Sequence, residues 1–125
     1  MAKTILLIDD EESVRELVQT CLSDLAGWNV IAAASAQAGL KQLITQNPDA
    51  ILLDFLMPGM DAITFLERLQ GNPSTASIPV LLLTVEAHWF TSQQLQQLGI
   101  VTAISKPFNP LTLPEAIAVA LKWKR

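Results

Sequence analysis

Charge is scarce in this chain. Only 16% of its 125 residues are Asp, Glu, Lys or Arg, and eight basic residues against twelve acidic ones leave a net charge of −4. Phosphate backbones are bound by clustered Lys and Arg, so a nucleic-acid surface on this domain is excluded. The one basic cluster is the tail Lys122, Lys124 and Arg125, which reads as the solvated end of a helix, where cations suit the dipole. A single cysteine, Cys21, excludes an internal disulfide and suits a reducing compartment. It falls on an apolar helical stripe, as a core thiol would, rather than in a nucleophile's setting. The apolar run in MAKTILLIDD is too short for a signal peptide, and nothing reaches the length of a bilayer span. The expectation is a soluble, cytoplasmic protein with no membrane partner. Repeats, linkers and low-complexity tracts are also absent. The one histidine, His88, sits beside Trp89 and Phe90; ordinary packing accounts for the group, and His88 is assigned no catalytic role.

Half of the residues are apolar, and a single domain of this length buries roughly two-thirds of its unfolded surface. Apolar runs rich in β-branched residues predict strands at 5–8, 28–33, 50–53 and 80–83, with a weaker one at 101–104. Continuous apolarity without alternation belongs to strands covered on both faces, as in a parallel sheet. Helical spacing fills the gaps. Val14, Leu17, Val18, Cys21, Leu22 and Leu25 form one stripe. Ser35 opens a second helix carrying Leu40, Leu43 and Ile44, and Asn47-Pro48 stops it. Asp61 can cap a third, with Ile63, Phe65, Leu66 and Leu69 as its buried set and Gly71-Asn72-Pro73 as its exit. A fourth, over about 90–98, has a thin apolar face and ends at Gly99. Thr112-Leu-Pro-Glu115 has capping-box spacing for the last helix. Five βα units in this order predict an α/β fold: a doubly wound five-stranded parallel sheet with right-handed crossovers and helices on both faces.

Such sheets bind ligands beyond the carboxyl ends of their strands. There the sequence places Asp9 and Asp10 after the first strand, Asp54 after the third, Thr84 after the fourth and Lys106 after the fifth. Each alone has an ordinary explanation: Asp10 or Asp54 capping a turn, Thr84 serving as a β-branched strand residue, Lys106 as an exposed cation. Five coincidences at matching positions favour a site. Gathered carboxylates repel unless cations compensate them. Lys106 offsets one charge, and a hard divalent ion such as Mg2+ offsets the rest. A metal, a Lys and a hydroxyl around one carboxylate suit phosphoryl transfer to that carboxylate, with Asp54 as the covalent nucleophile.

The stretches ILLIDDEESVRELV, ILLDFLMPGMDAITFLERL, IPVLLLT and ISKPF resemble the receiver domains of two-component response regulators, the CheY-like family, over nearly the whole chain. The resemblance implies that Asp54 is the phosphoacceptor. It makes Asp10 a direct Mg2+ ligand and Asp9 a ligand acting chiefly through water, with the Leu56 backbone carbonyl also on the metal. Thr84 becomes the switch hydroxyl and Lys106 the lysine that grips the phosphoryl group, with a cis Lys106–Pro107 bond. It further implies strand order 2-1-3-4-5 for the sheet and a single receiver domain over 1–125, standing alone. That domain would take its phosphoryl group from a histidine kinase or phosphotransfer protein and signal through contacts with a downstream protein. Two positions depart from the family: Val85 stands where Ala or Gly is usual, and Ala103 where many receivers carry Tyr or Phe.

Two readings from other classes compete. A small Mg2+-dependent phosphohydrolase with an aspartyl nucleophile would use similar groups, but the haloacid-dehalogenase type wants Asp-x-Asp where Asp9-Asp10-Glu11 stands. A nucleotide or flavin module would need a phosphate cradle, and the first strand–helix turn contains no glycine.

Overall fold

The computed structural model describes residues 2–55, 62–85 and 87–124. Five strands alternate with five helices. In chain order they are β1 (Thr4–Ile8), α1 (Glu12–Ala26), β2 (Asn29–Ala33), α2 (Ala36–Gln46) and β3 (Ala50–Leu53). Then come α3 (Ala62–Gln70), β4 (Val80–Thr84), a 3-10 turn (Ala87–Trp89), α4 (Ser92–Leu98), β5 (Ile100–Ser105) and α5 (Leu113–Leu121). All pairings are parallel, and the sheet order is β2-β1-β3-β4-β5, as expected.

The unbroken apolarity of the central strands has a direct cause. Successive side chains point to opposite faces, and both faces are covered. Leu6, Ile8, Ile51, Leu53 and Leu82 pack with Leu43 of α2 and with Phe65, Leu66 and Leu69 of α3. The intervening Ile5, Leu7, Leu52, Leu81 and Leu83 pack with Val18, Cys21 and Leu22 of α1 and with Leu113, Ile117 and Ala118 of α5. Each such side chain, taken fully from water, contributes about 1.5–3 kcal/mol before entropy is counted. At Gly39 of α2 the helix comes so close to β1 that an added Cβ would lie 2.8 Å from Ile8 Cγ1. Any larger residue would have to displace the Ile8 side chain.

Helix ends follow local chemistry. Ser35 Oγ accepts from the Ala38 N–H at 3.1 Å, and Asn47 closes α2 at φ 45°. Gly27 closes α1 at φ 71°, where a Cβ would be strained. Other expectations are corrected. Trp28 precedes β2 instead of opening it and packs edge-to-face on Trp123, with 5.3 Å between ring centroids. Leu17, Leu25, Ile63 and above all Ile44, at 80% exposure, lie outside the cover their helices receive. Each helix meets the sheet along a narrower strip than its apolar spacing suggests. The fourth helix is shorter than 90–98: it starts at Ser92 behind its N-cap Thr91, and the separate 3-10 turn lies before it.

The expected capping box at Thr112 does not form. Thr112 already has helical backbone angles, φ −106° and ψ −6°, because 109–112 is a turn with Leu111 N–H bound to Asn109 Oδ1 at 2.9 Å. Its hydroxyl donates to the Asn109 carbonyl instead. The capping box stands on α4. There Thr91 Oγ1 accepts from the Gln94 N–H at 3.1 Å, and Gln94 Oε1 accepts from the Thr91 N–H at 2.8 Å. Asp61, the expected cap of α3, lies outside the described residues. Among the described residues no helix is long and apolar enough to cross a membrane.

Candidate functional site

The carboxyl edge of the sheet carries the charge of the interior. Asp9 follows β1 and is held there by its N–H to Ala33 O at 3.1 Å and by Arg15 Nη1, which donates to the Asp9 carbonyl at 2.9 Å. Asp54 follows β3, with its N–H on Ile8 O at 2.9 Å. Both residues are buried, and so is Thr84 at the end of β4. The Lys106 N–H donates to Thr84 O at 3.1 Å, which carries the β4–β5 pairing one residue past the strand. The Lys106–Pro107 peptide is cis, as the resemblance implied.

These backbone ties aim the Lys106 side chain back over the edge. Its ammonium donates to Asp9 Oδ2 at 2.6 Å, Glu11 Oε1 at 3.1 Å and Asp54 Oδ2 at 3.3 Å, and the side chain is only 9% exposed. Burial pulls the Lys106 pKa down. The Asp9 hydrogen bond, the Asp54 and Asp9 charges and the Glu11 hydrogen bond outweigh it, so the net shift is upward. Lys106 is therefore a fixed cation at neutral pH. Asp9 Oδ1 also accepts from the Glu11 N–H at 2.9 Å, which draws the start of α1 onto the cluster.

One oxygen from each of Asp9, Glu11 and Asp54 lies within 4.8 Å of the others. Hard carboxylate oxygens at such spacing fit Mg2+, which takes oxygen ligands and keeps several waters. The expected residues are thus brought to one edge, with two differences. Asp10 is exposed beside the cluster and is not among the three converging acids. Glu11, which the sequence reading passed over, is. Leu56 lies outside the described residues. Thr84 is in place, its side chain buried within the edge.

A depression opens beside the acids, lined by Val14 and Leu17 of α1, Val85, Glu11, Lys106, Pro107 and Phe108. It gives the charged cluster an apolar margin. On the other side Phe55 packs on Phe90 with 5.0 Å between ring centroids, while Trp89 is 66% exposed. Packing thus accounts for Phe90 but not for Trp89.

The sequence model of the response regulator receiver domain matches residues 5–118. The phosphate regulon transcriptional regulatory protein PhoB of Pseudomonas aeruginosa is 32% identical over 98% of this chain and 53% of its own length. A probable chemotaxis protein CheY of Rhizobium etli is 30% identical over 90% of this chain and 88% of its own length. The chain spans about half the length of the first curated relatives it matches. Among solved structures, the chemotaxis response regulator CheY4 of Vibrio cholerae superposes with a TM-score of 0.87 at 29% identity, covering 96% of this chain and 99% of that one.

Proposed function

Because the chain belongs to the response regulator receiver family, we propose that Asp54 accepts a phosphoryl group from a histidine kinase or phosphotransfer protein. The reaction is Mg2+-dependent. Residues 1–125 act as one cytoplasmic receiver unit that signals through phosphorylation-dependent protein contacts, without turnover of a substrate. Lys106, 3.3 Å from the Asp54 carboxylate at the ligand-binding edge of the sheet, is the observation that carries this reading.

An Asp54 oxygen attacks phosphorus in line, the P–O bond forms, and the bond to the donor breaks with its electron pair leaving on the donor. The incoming phosphoryl oxygens add charge to a site that already holds buried carboxylates. Lys106 offsets part of that charge, and a hydrogen bond from Thr84 takes another share. By the family pattern Asp10, which stands exposed beside the three converging acids, would turn in to hold Mg2+ with Asp54 and the Leu56 carbonyl, and Asp9 would act through water. The ion supplies charge neutralisation on the phosphoryl oxygens. The apolar margin of Val14, Leu17, Val85 and Phe108 suits a phosphodonor protein that must cover the site and exclude water.

Acetyl phosphate with Mg2+ should add one phosphoryl mass, and Asp54→Asn should abolish the addition. Intact-mass measurement decides: a variant modified as readily as the parent would refute the assignment.

A further inference from the structure

The acidic turn after β1 is tied at several points. The Asp9 N–H donates to Ala33 O at 3.1 Å, and the Glu11 N–H to Asp9 Oδ1 at 2.9 Å. The Arg15 N–H closes on Glu11 O at 3.1 Å, and Arg15 Nη1 donates to the Asp9 carbonyl at 2.9 Å. That last bond is made in place of an ion pair. Glu11 stands four residues before Arg15, the spacing at which a helix pairs opposite charges. Yet Glu11 turns to Lys106, and Arg15 bonds a neutral carbonyl.

The carbonyl belongs to the peptide that joins Asp9 to Asp10. A peptide unit is planar, so holding its oxygen also fixes the point from which Asp10 starts. Asp10 is exposed beside the three converging acids and, in the receiver reading, turns in to meet the metal. With the peptide loose, backbone freedom would have to be lost as well.

Resting on the receiver reading above, we propose that Arg15 is a positioning residue: it holds the Asp9–Asp10 peptide so that Asp10 enters the Mg2+ site by side-chain rotation alone. Two effects of the same side chain then have opposite signs. As a cation near gathered carboxylates, Arg15 repels Mg2+, and its removal would tighten binding. As a clamp on a ligand's backbone, it supports the site, and its removal weakens binding. The clamp outweighs the repulsion, because the bond is directed and charge-assisted, while Arg15 is only half-buried and its charge is screened by water and salt.

Arg15→Met keeps the stem and removes both the charge and the donors. Mg2+ titrations followed by amide NMR should give about tenfold weaker binding than the parent. Without metal, the Asp10 and Glu11 amides should exchange faster. In an Asp10→Asn background the same substitution should change Mg2+ affinity little, since its effect passes through Asp10. Equal or tighter Mg2+ binding in Arg15→Met would overturn the proposal, and so would an undiminished loss in the Asp10→Asn background. The parent supplies a check that needs no variant: its Arg15 guanidinium should be hindered in rotation, and a freely rotating one refutes the clamp. A parent that binds Mg2+ but fails these tests loses this proposal alone. One that binds no Mg2+ and takes no phosphoryl group from acetyl phosphate removes the receiver reading with it.

Discussion

Two helices lead away from the charged edge, α1 from the β1 side and α4 from the β4 side. They are anchored by different means. Helix α1 has fifteen residues and buries Val18, Cys21 and Leu22 between the sheet and α5. Helix α4 has seven, none of them buried; Leu95 and Leu98 are only partly covered against the core. What holds α4 is chemistry at its ends. The Thr91–Gln94 capping box closes the start. Gly99 at φ 75° and Gln70 Nε2, which donates to Leu98 O at 2.9 Å, close the finish. Burial gives a helix several deep anchors, whereas α4 can shift at the cost of shallow contacts and one bond to α3, its capping box staying intact. The contrast assigns fixed geometry to the acid cluster and Lys106, and leaves movement to the segment after Thr84.

The largest expected effect sharpens that contrast in stability. Leu22→Ala should cost about 2–5 kcal/mol, and Leu95→Ala only about 1 kcal/mol, both read by denaturant unfolding. Equal costs would erase the distinction. Next comes the switch. A hydrogen bond from Thr84 to a phosphoryl oxygen is worth roughly 1.5–3 kcal/mol, and a population shift needs an element with two states to receive it. Ala103 has no rotamer with which to respond. Structures with and without beryllofluoride should therefore differ most in the backbone of 85–90, although Glu86 lies outside the described residues. Change confined to β5 would break the comparison. The smallest effect concerns the caps. Thr91→Ala should cost about 1 kcal/mol and speed amide exchange throughout α4. Thr112→Ala, which removes no cap bond, should stay within about 0.5 kcal/mol.

The contrast also explains what could be read in advance. Strands covered on both faces write their position as unbroken apolarity, so the sheet and the edge holding Asp9, Asp54, Thr84 and Lys106 were legible, while the strand order came from the family resemblance. Helical stripes were less so, because 3.6-residue spacing shows which residues could face inward, not how wide the cover is; Ile44 and Leu17 fall in that gap. The capping motif at Thr112 misled because Asn109 had already organised the turn, a backbone fact invisible in four letters. Glu11 was missed for another reason. In sequence it is one more acid at the start of a helix, and its meaning depends on Lys106, 95 residues later.

The edge-to-face pair of Trp28 and Trp123, with Lys3 Nζ 4.9 Å from the Trp123 ring centroid, gives the molecule a built-in optical division. Trp28 is 7% exposed and Trp89 66%, so a small aqueous quencher collides with the indole beside α4 and scarcely touches the one behind α1. The emission that survives quenching reports the fixed half of the domain. The emission that is lost comes chiefly from Trp89, in the half we assign to signalling, with a smaller share from the partly exposed Trp123, so a Trp123→Phe variant lets light follow the two halves separately, without a label.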